Sequence, residues 1–359
     1  MTPLDPAPAI DAAEYRARQA AVAGDASDRG LDALLVWSTG GSSLDGYANV
    51  FYLTNHYTPV PRTVVEIEPF MTGWGQTALV LPTSEEPATL VVEVGDWRRD
   101  LVVADRVRHS HDLYGEVRSV LRDAGLERAR VGLVGASVMP VSAWQAIMRD
   151  LPGLRLEPAD DILYARRRIK SPAEIAMMRH ASAVGAEIQN AMLSVAAEGR
   201  TDNDLAREGY RVCCDHGAVP WEFAFASGPH SGHGYWGRLP AWDRDHRYEA
   251  GDLVHPDAYG CVNGYLYDLQ RTTVVGGEPT ARQRRLLDGA VGVVAALCDA
   301  ATVGTPVADL ARLRETWLAE HGFADDARLD GGYLTLSDRP GIGFEGQSAL
   351  YALMRDLAA

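Results

Sequence analysis

The stretch Gly251–Thr273, GDLVHPDAYGCVNGYLYDLQRTT, decides how the chain is read. Asn263-Gly264 signals a two-residue hairpin turn with positive φ at both central positions. With that turn formed, Val262 faces Tyr265, and the ladder continues through Cys261–Leu266, Tyr259–Asp268 and Asp257–Gln270. Strand side chains alternate, so His255, Asp257 and Tyr259 share a face with Asp268, Gln270 and Thr272. Asp257 and Asp268 then stand on a cross-strand diagonal, within reach of one small ligand. Val254, Ala258, Leu269 and Val275 fall on the opposite face, which suits burial. Two carboxylates on one face are costly unless a cation, a proton or hydrogen-bond donors compensate them. The acidic face is therefore the candidate site.

The rest of the composition sets bounds. With 359 residues the chain is long enough for two domains, and 47% hydrophobic with 23% charged residues is the balance of a folded protein. A net charge of -15 and a pI near 5.1 argue against nucleic-acid or anionic-membrane partners. No stretch has the apolar length of a membrane span. The start, MTPLDPAPAIDAAEYRARQ, lacks a basic segment followed by an apolar run, so a cytoplasmic location is expected. Cys213, Cys214, Cys261 and Cys298 have no framework or metal-ligand spacing and read as reduced thiols. Cys213-Cys214 are expected to be buried on a helix.

Along the chain, a helix is predicted from Ala12 to Arg29, followed by strands at LDALLVWST, ANVFYLTNHY, TALVLP, ATLVVEV and ARVGLVG. Helices at Leu113–Ala124 and Val141–Asp150 make the first half a compact α/β domain with a mixed sheet, residues 1–163. The loop Pro59–Gly75 is read as reaching out over a neighbouring molecule. The second half, residues 164–359, opens with Ser171 as N-cap, Pro172 at the first helical position and Glu174 closing a capping box. Apolar residues at Ile175, Met178, Ala181, Gly185, Ile188, Met192 and Val195 give that helix one packing face. A second helix runs from Thr201 to Gly217, and two more run from Thr280 to about Val303 and from Thr305 to His321. This order of helices and strands is α+β.

These residues resemble the pita-bread family of creatinase, prolidase, aminopeptidase P and methionine aminopeptidase. RRRIKSPAEIAMMRHA is similar to the family's lead-in to its catalytic domain. GDLVHPDAYGCVNGYLYDLQRT is similar to its metal-binding hairpin, and SGPHSGHG to the segment that places a histidine at the substrate, here His233. The resemblance covers nearly the whole chain. It implies a creatinase-like N-terminal α/β domain, a pita-bread C-terminal domain and, as a rule, a homodimer. It also implies a dinuclear metal site of two Asp, one His and two Glu, with Asp257 and Asp268 as the metal-binding aspartates. The segment Arg339-Pro340-Gly341-Ile342-Gly343-Phe344-Glu345 departs from the pattern, because Pro340 stands where the ligand His would be. Proline has no ligating side chain, and two carboxylates alone seldom hold a transition-metal pair. The expectation is a divergent member lacking the C-terminal ligands. It would have no cofactor or one weakly held divalent ion (Mn, Mg, Co or Zn).

His233 is the first candidate for acid–base catalysis, since imidazole titrates near neutral pH, and creatinase relies on a histidine in this segment without metal. His230, three residues earlier, is the alternative, and His255 faces the acidic pair as an acid or counter-ion. The bland readings are a loop histidine and an aspartate pair neutralised by Arg271, His255 or water. Tyr235, Trp236 and Tyr259 are candidate walls of a small-molecule pocket, although core packing explains aromatic residues as well. Glu345 is the acid nearest the altered ligand segment and a candidate substrate contact. The predicted activity is hydrolysis at a C–N bond of a small amino-acid-derived, dipeptide-like or guanidino-like substrate. A non-catalytic pseudoenzyme or binding protein is the alternative. A third reading, a truncated or frameshifted dipeptidase, would show in the genomic continuation past Ala359.

Overall fold

The computed structural model describes residues 4–41, 46–62, 66–93, 95, 97–231, 240–323, 327–330 and 333–336. It divides into two compact units, Pro8–Ala176 and Met177–Ala359 with Met1–Ala7.

The first unit is a mixed six-stranded sheet between helices. Its strands are β1 (Ala33–Thr39), β2 (Gln76–Pro82), β3 (Thr89–Val92), β4 (Arg106–His109), β5 (Arg130–Val134) and β6 (Arg155–Pro158), in the order β4-β3-β2-β1-β5-β6. β2 runs antiparallel to both neighbours, and the other pairs are parallel. The helices are α1 (Ala12–Asp28), α2 (Ala48–Thr54), α3 (Leu113–Asp123), α4 (Val141–Asp150) and α5 (Asp160–Arg168). Every residue of β1 is buried, because both faces of the central strand are covered. Ala33, Leu35 and Trp37 meet Val117, Leu121 and Ile147 on one face, while Leu34 and Val36 meet Val22, Val50 and Leu53 on the other.

One predicted strand is corrected. ANVFYLT forms α2, not a strand. A seven-residue apolar run has no decisive period, and contacts at the two ends of the segment settle the matter. Val50 N donates to Ser38 Oγ at 2.9 Å, and Asn55 ends the helix in the left-handed region at φ 55°. Asn49, Val50, Leu53 and Thr54 are then buried together, at helical spacing.

α6 (Pro172–Ser194) starts with the capping box that the sequence predicts. Ser171 N donates to Glu174 Oε2 at 2.9 Å, and Glu174 N donates to Ser171 Oγ at 3.1 Å. Its buried face differs from the predicted one at the start. Met177, Ala181, Val184, Ile188 and Met192 are buried, whereas Ile175 and Met178 are each 42% exposed. From Ala181 onward the predicted positions Ala181, Gly185, Ile188 and Met192 are buried, with Gly185 closely packed on Tyr267 and Leu269. α7 (Asp202–His216) has a capping box between Thr201 and Asp204 and ends at Gly217, φ 63°. Cys213 is buried on it but Cys214 is exposed, correcting the expectation for that pair; none of the four cysteines is in a disulfide.

The second unit's sheet holds β7 (Val219–Ser227), β8 (Leu253–Val262), β9 (Tyr265–Gln270) and β10 (Thr273–Val274). β8 is its centre, with β7 on one edge and β9 followed by β10 on the other. α8 (Ala281–Ala300) and α9 (Val307–Glu320) form a helical pair that buries Leu286, Val293, Leu318 and Phe323. β11 (Ala327–Asp330) and β12 (Tyr333–Leu336) pair with each other. Among the described residues, no helix is long and apolar enough to cross a membrane.

Candidate functional site

The site is built on the β8–β9 hairpin, and its register follows from the turn. Asn263 and Gly264 adopt φ 47° and φ 80°, both positive as a two-residue turn of this kind requires. The ladder pairs Val262 with Tyr265, Cys261 with Leu266, Tyr259 with Asp268 and Asp257 with Gln270. β7 adds a further row, with Glu222 opposite Tyr259, Ala224 opposite Asp257 and Ala226 opposite His255. Since directly paired residues point to one side, Asp257, Asp268, Tyr259, His255 and Glu222 share a face. The other face is apolar: Val254, Ala258, Tyr267 and Val275 are buried against α6 and α7, with Leu269 packed beside them. A one-residue slip would turn the aspartates into that core, so the apolar face fixes the acidic one.

The two carboxylates are in different surroundings. Asp257 is 0% exposed at the centre of the sheet. Asp268 stands on the outer strand with part of its surface open to solvent. Protein nevertheless crowds it closely enough that burial alone pushes its carboxyl up to about 6. No basic group contributes to it. Arg271 donates to the Gln270 carbonyl at 2.7 Å instead, which removes it as the neutralising partner that the bland reading invoked.

His255 sits on the acidic face as the register requires, and its Nδ1 lies 2.7 Å from Thr272 Oγ1. That contact holds the ring in place from the link between β9 and β10. His230 ends a single 3-10 turn, Gly228–His230, directly after β7, with its Nε2 3.8 Å from Asp243 Oδ2. Tyr259 is half-buried between the rows of Asp268 and Glu222. His233, Tyr235, Trp236 and Glu345 lie outside the described residues, as does the Pro340 segment. Glu222 was missed by sequence reasoning. Extending the alternation from β8 into the EFAFAS strand would have shown it, but a register shift between Pro220 and Glu222 hides the pairing.

A divalent ion here would draw on Asp257 and Asp268, whose oxygen donors suit Mg²⁺ or Mn²⁺ better than a soft metal. Among the described residues, no group of three or more His, Cys, Asp or Glu could hold an ion. The face itself can bind a positively charged group by charge-assisted hydrogen bonds.

Comparisons with known proteins agree with this architecture. Residues 176–339 match the Metallopeptidase family M24, and residues 18–169 match the Creatinase/Prolidase N-terminal domain. An ectoine hydrolase of Halomonas elongata is 25% identical over 226 residues, covering 57% of this chain and 53% of that protein. A Xaa-Pro dipeptidase of Pyrococcus furiosus is 27% identical over 190 residues, covering 52% of this chain and 50% of that protein. The chain thus spans about half the length of the curated relatives it matches. Among solved structures, the prolidase from Pyrococcus horikoshii OT3 superposes with a TM-score of 0.70 at 19% identity, over 91% of this chain and 85% of that one. An X-Pro aminopeptidase from Thermotoga maritima MSB8 reaches the same TM-score of 0.70 at 16% identity, over 91% and 84%. These structural likenesses speak to the fold.

Proposed function

The chain belongs to the pita-bread creatinase/prolidase family, and on that premise we propose that it is a hydrolase of the creatinase/Xaa-Pro peptidase type. It would cleave a C–N bond in a small amino-acid-derived, dipeptide-like or guanidino-like substrate. The observation that carries this reading is the diagonal of Asp257 and Asp268 on one face of the hairpin, whose neighbouring strand β7 runs on into the turn Gly228–His230. The two carboxylates would hold an amine or guanidinium of the substrate, a use that needs no complete metal cage. His233, or His230 in its place, would take a proton from the attacking water and return one to the departing nitrogen. Tyr259 would wall the pocket, with Tyr235, Trp236 and Glu345 as further contacts.

Pro340, at the position of the family's ligand histidine, supports a site with at most one weakly held divalent ion. The same residue favours the second reading, a pseudoenzyme whose pocket serves binding. A cytoplasmic homodimer is the assembly and setting we infer for either reading. The test is elemental analysis of the purified chain with and without added Mn²⁺, Co²⁺ or Zn²⁺, together with thermal midpoints. No more than one ion per chain is expected. Two tightly held ions, both lost in Asp257→Ala, would sink the incomplete-site reading.

A further inference from the structure

Resting on the reading of Asp257 and Asp268 as the holder of a substrate cation, we propose that Gln189 is a positioning residue of that pair, splinting β8 to β9 from the opposite face of the sheet. Gln189 lies on α6 and is 1% exposed. Its Nε2 donates to the Pro256 carbonyl at 3.2 Å and also to the Leu269 carbonyl. The first carbonyl immediately precedes Asp257 in β8, and the second stands between Asp268 and Gln270 in β9. Asp257 is paired with Gln270, so one amide holds both strands at the row that carries the buried aspartate. The two carbonyls also settle which way the amide faces, since a flipped amide would set oxygen against oxygen.

The strands need a splint at this point. The β8–β9 ladder ends at the Asp257–Gln270 row. The adjoining residue of β8 is Pro256, which has no N–H to give, although β8 is the central strand. Arg271 N donates to the Pro256 carbonyl there at 3.3 Å. Gln189 adds a donor from α6 where the strand lacks one. The amide is kept at a cost, because its Oε1 is buried with no hydrogen-bond partner among the described residues. Methionine would fill the same space on a helix face that buries Ala181, Val184, Ile188 and Met192, and would bring no orphan acceptor. Apolar packing therefore does not account for a glutamine, whereas two carbonyls on two strands do. Asp257 is 0% exposed, so its carboxylate stands where its backbone puts it, and a shift of β8 against β9 changes its reach to Asp268.

The test is methylguanidinium binding to the full chain, read by ligand-observed NMR, with thermal midpoints measured alongside. The intact chain should bind the probe and Asp257→Ala should not. Gln189→Met keeps the volume and removes both the donor and the orphan acceptor. Its apparent Kd should rise by about fivefold or more, with a midpoint equal to that of the intact chain or higher. Thr201→Ala, which loses stability through the α7 cap, is the control and should bind as the intact chain does. Unchanged binding in Gln189→Met would overturn the proposal and leave a structural splint. Weakened binding in Thr201→Ala as well would assign the effect to stability and overturn it too. Should Gln189→Met fail to fold, Gln189→Asn keeps an amide that is one methylene short of spanning both carbonyls. Weaker binding is expected from it, and unchanged binding would overturn the proposal. No binding by the intact chain, or equal binding by Asp257→Ala, would sink the reading of the pair and this inference with it. Loss in Asp257→Ala with no change in Gln189→Met would sink this inference alone.

Discussion

Gly185→Ala would insert one methyl group between α6 and the back of β9. A Cβ at that position lies 2.6 Å from Leu269 Cδ1 and 2.9 Å from Tyr267 Cβ. Comfortable carbon–carbon contact is about 3.5–4.0 Å, so the strand or the helix must move. The end of Leu269 can yield, but Tyr267 is 2% exposed and its hydroxyl lies 3.6 Å from Cys213 Sγ. Overpacking of this kind costs roughly 1–3 kcal/mol, and the better helix propensity of alanine offsets about 1 kcal/mol of it. The expected net loss is about 0–2 kcal/mol, measured by urea denaturation. Leu269→Ala in the same chain makes room for the methyl, so the double variant should lose less than the sum, with a coupling of about 0.5 kcal/mol or more. Tyr267 and Leu269 face the helix, so Asp268 between them faces away, and displacing β9 displaces the acidic pair. A stabilised Gly185→Ala with no coupling to Leu269 would refute the seating of the hairpin on α6.

Three further outcomes are expected from denaturation measurements. His56 is 7% exposed and its imidazole is pushed down from 6.5 to about 4 by burial. The stability tied to it is present above 6.5 and lost as pH falls through about 4, roughly 3 kcal/mol in all, so His56→Gln should flatten that acid limb. Parallel acid limbs in the two proteins would contradict this. Glu93 is 0% exposed, with burial pushing its carboxyl up against the pull of Gly75 N at 3.1 Å. Its contribution is present below the ordinary carboxylate value and lost as pH rises through the raised one. Glu93→Gln should therefore be the more stable protein at pH 8 by a margin that shrinks on acidification; a margin that grows would be the wrong sign. Thr201→Ala removes the α7 capping box and should cost about 1 kcal/mol, and no loss would mean the box is idle.

The hairpin was legible in the sequence because Asn-Gly fixes both turn type and register, and alternation then assigns every side chain to a face. Capping boxes made the starts of α6 and α7 legible for a similar reason: the signal is local and its chemistry specific. The region around α2 was not, because its helix depends on Ser38, a residue from a neighbouring strand, to hold its first turn. Glu222 was hidden by an irregularity in pairing that composition does not announce. The bond from Asp243 N to the buried Asp202 carboxylate was equally invisible, since it joins residues 41 positions apart through a contact that only the fold creates. What the sequence could say of the site was its charge and register; what it could not say was which neighbours orient it.

The measurement closest to the central claim is amine release from a panel of Xaa-Pro dipeptides, N-acyl amino acids and guanidino acids. It would compare the intact chain with Asp257→Ala in chelator-treated buffer, and again with Mn²⁺ added. The account predicts release by the intact chain in chelator-treated buffer, abolished in Asp257→Ala while that variant stays folded. No release from any substrate under either condition, or equal release by both proteins, would contradict it.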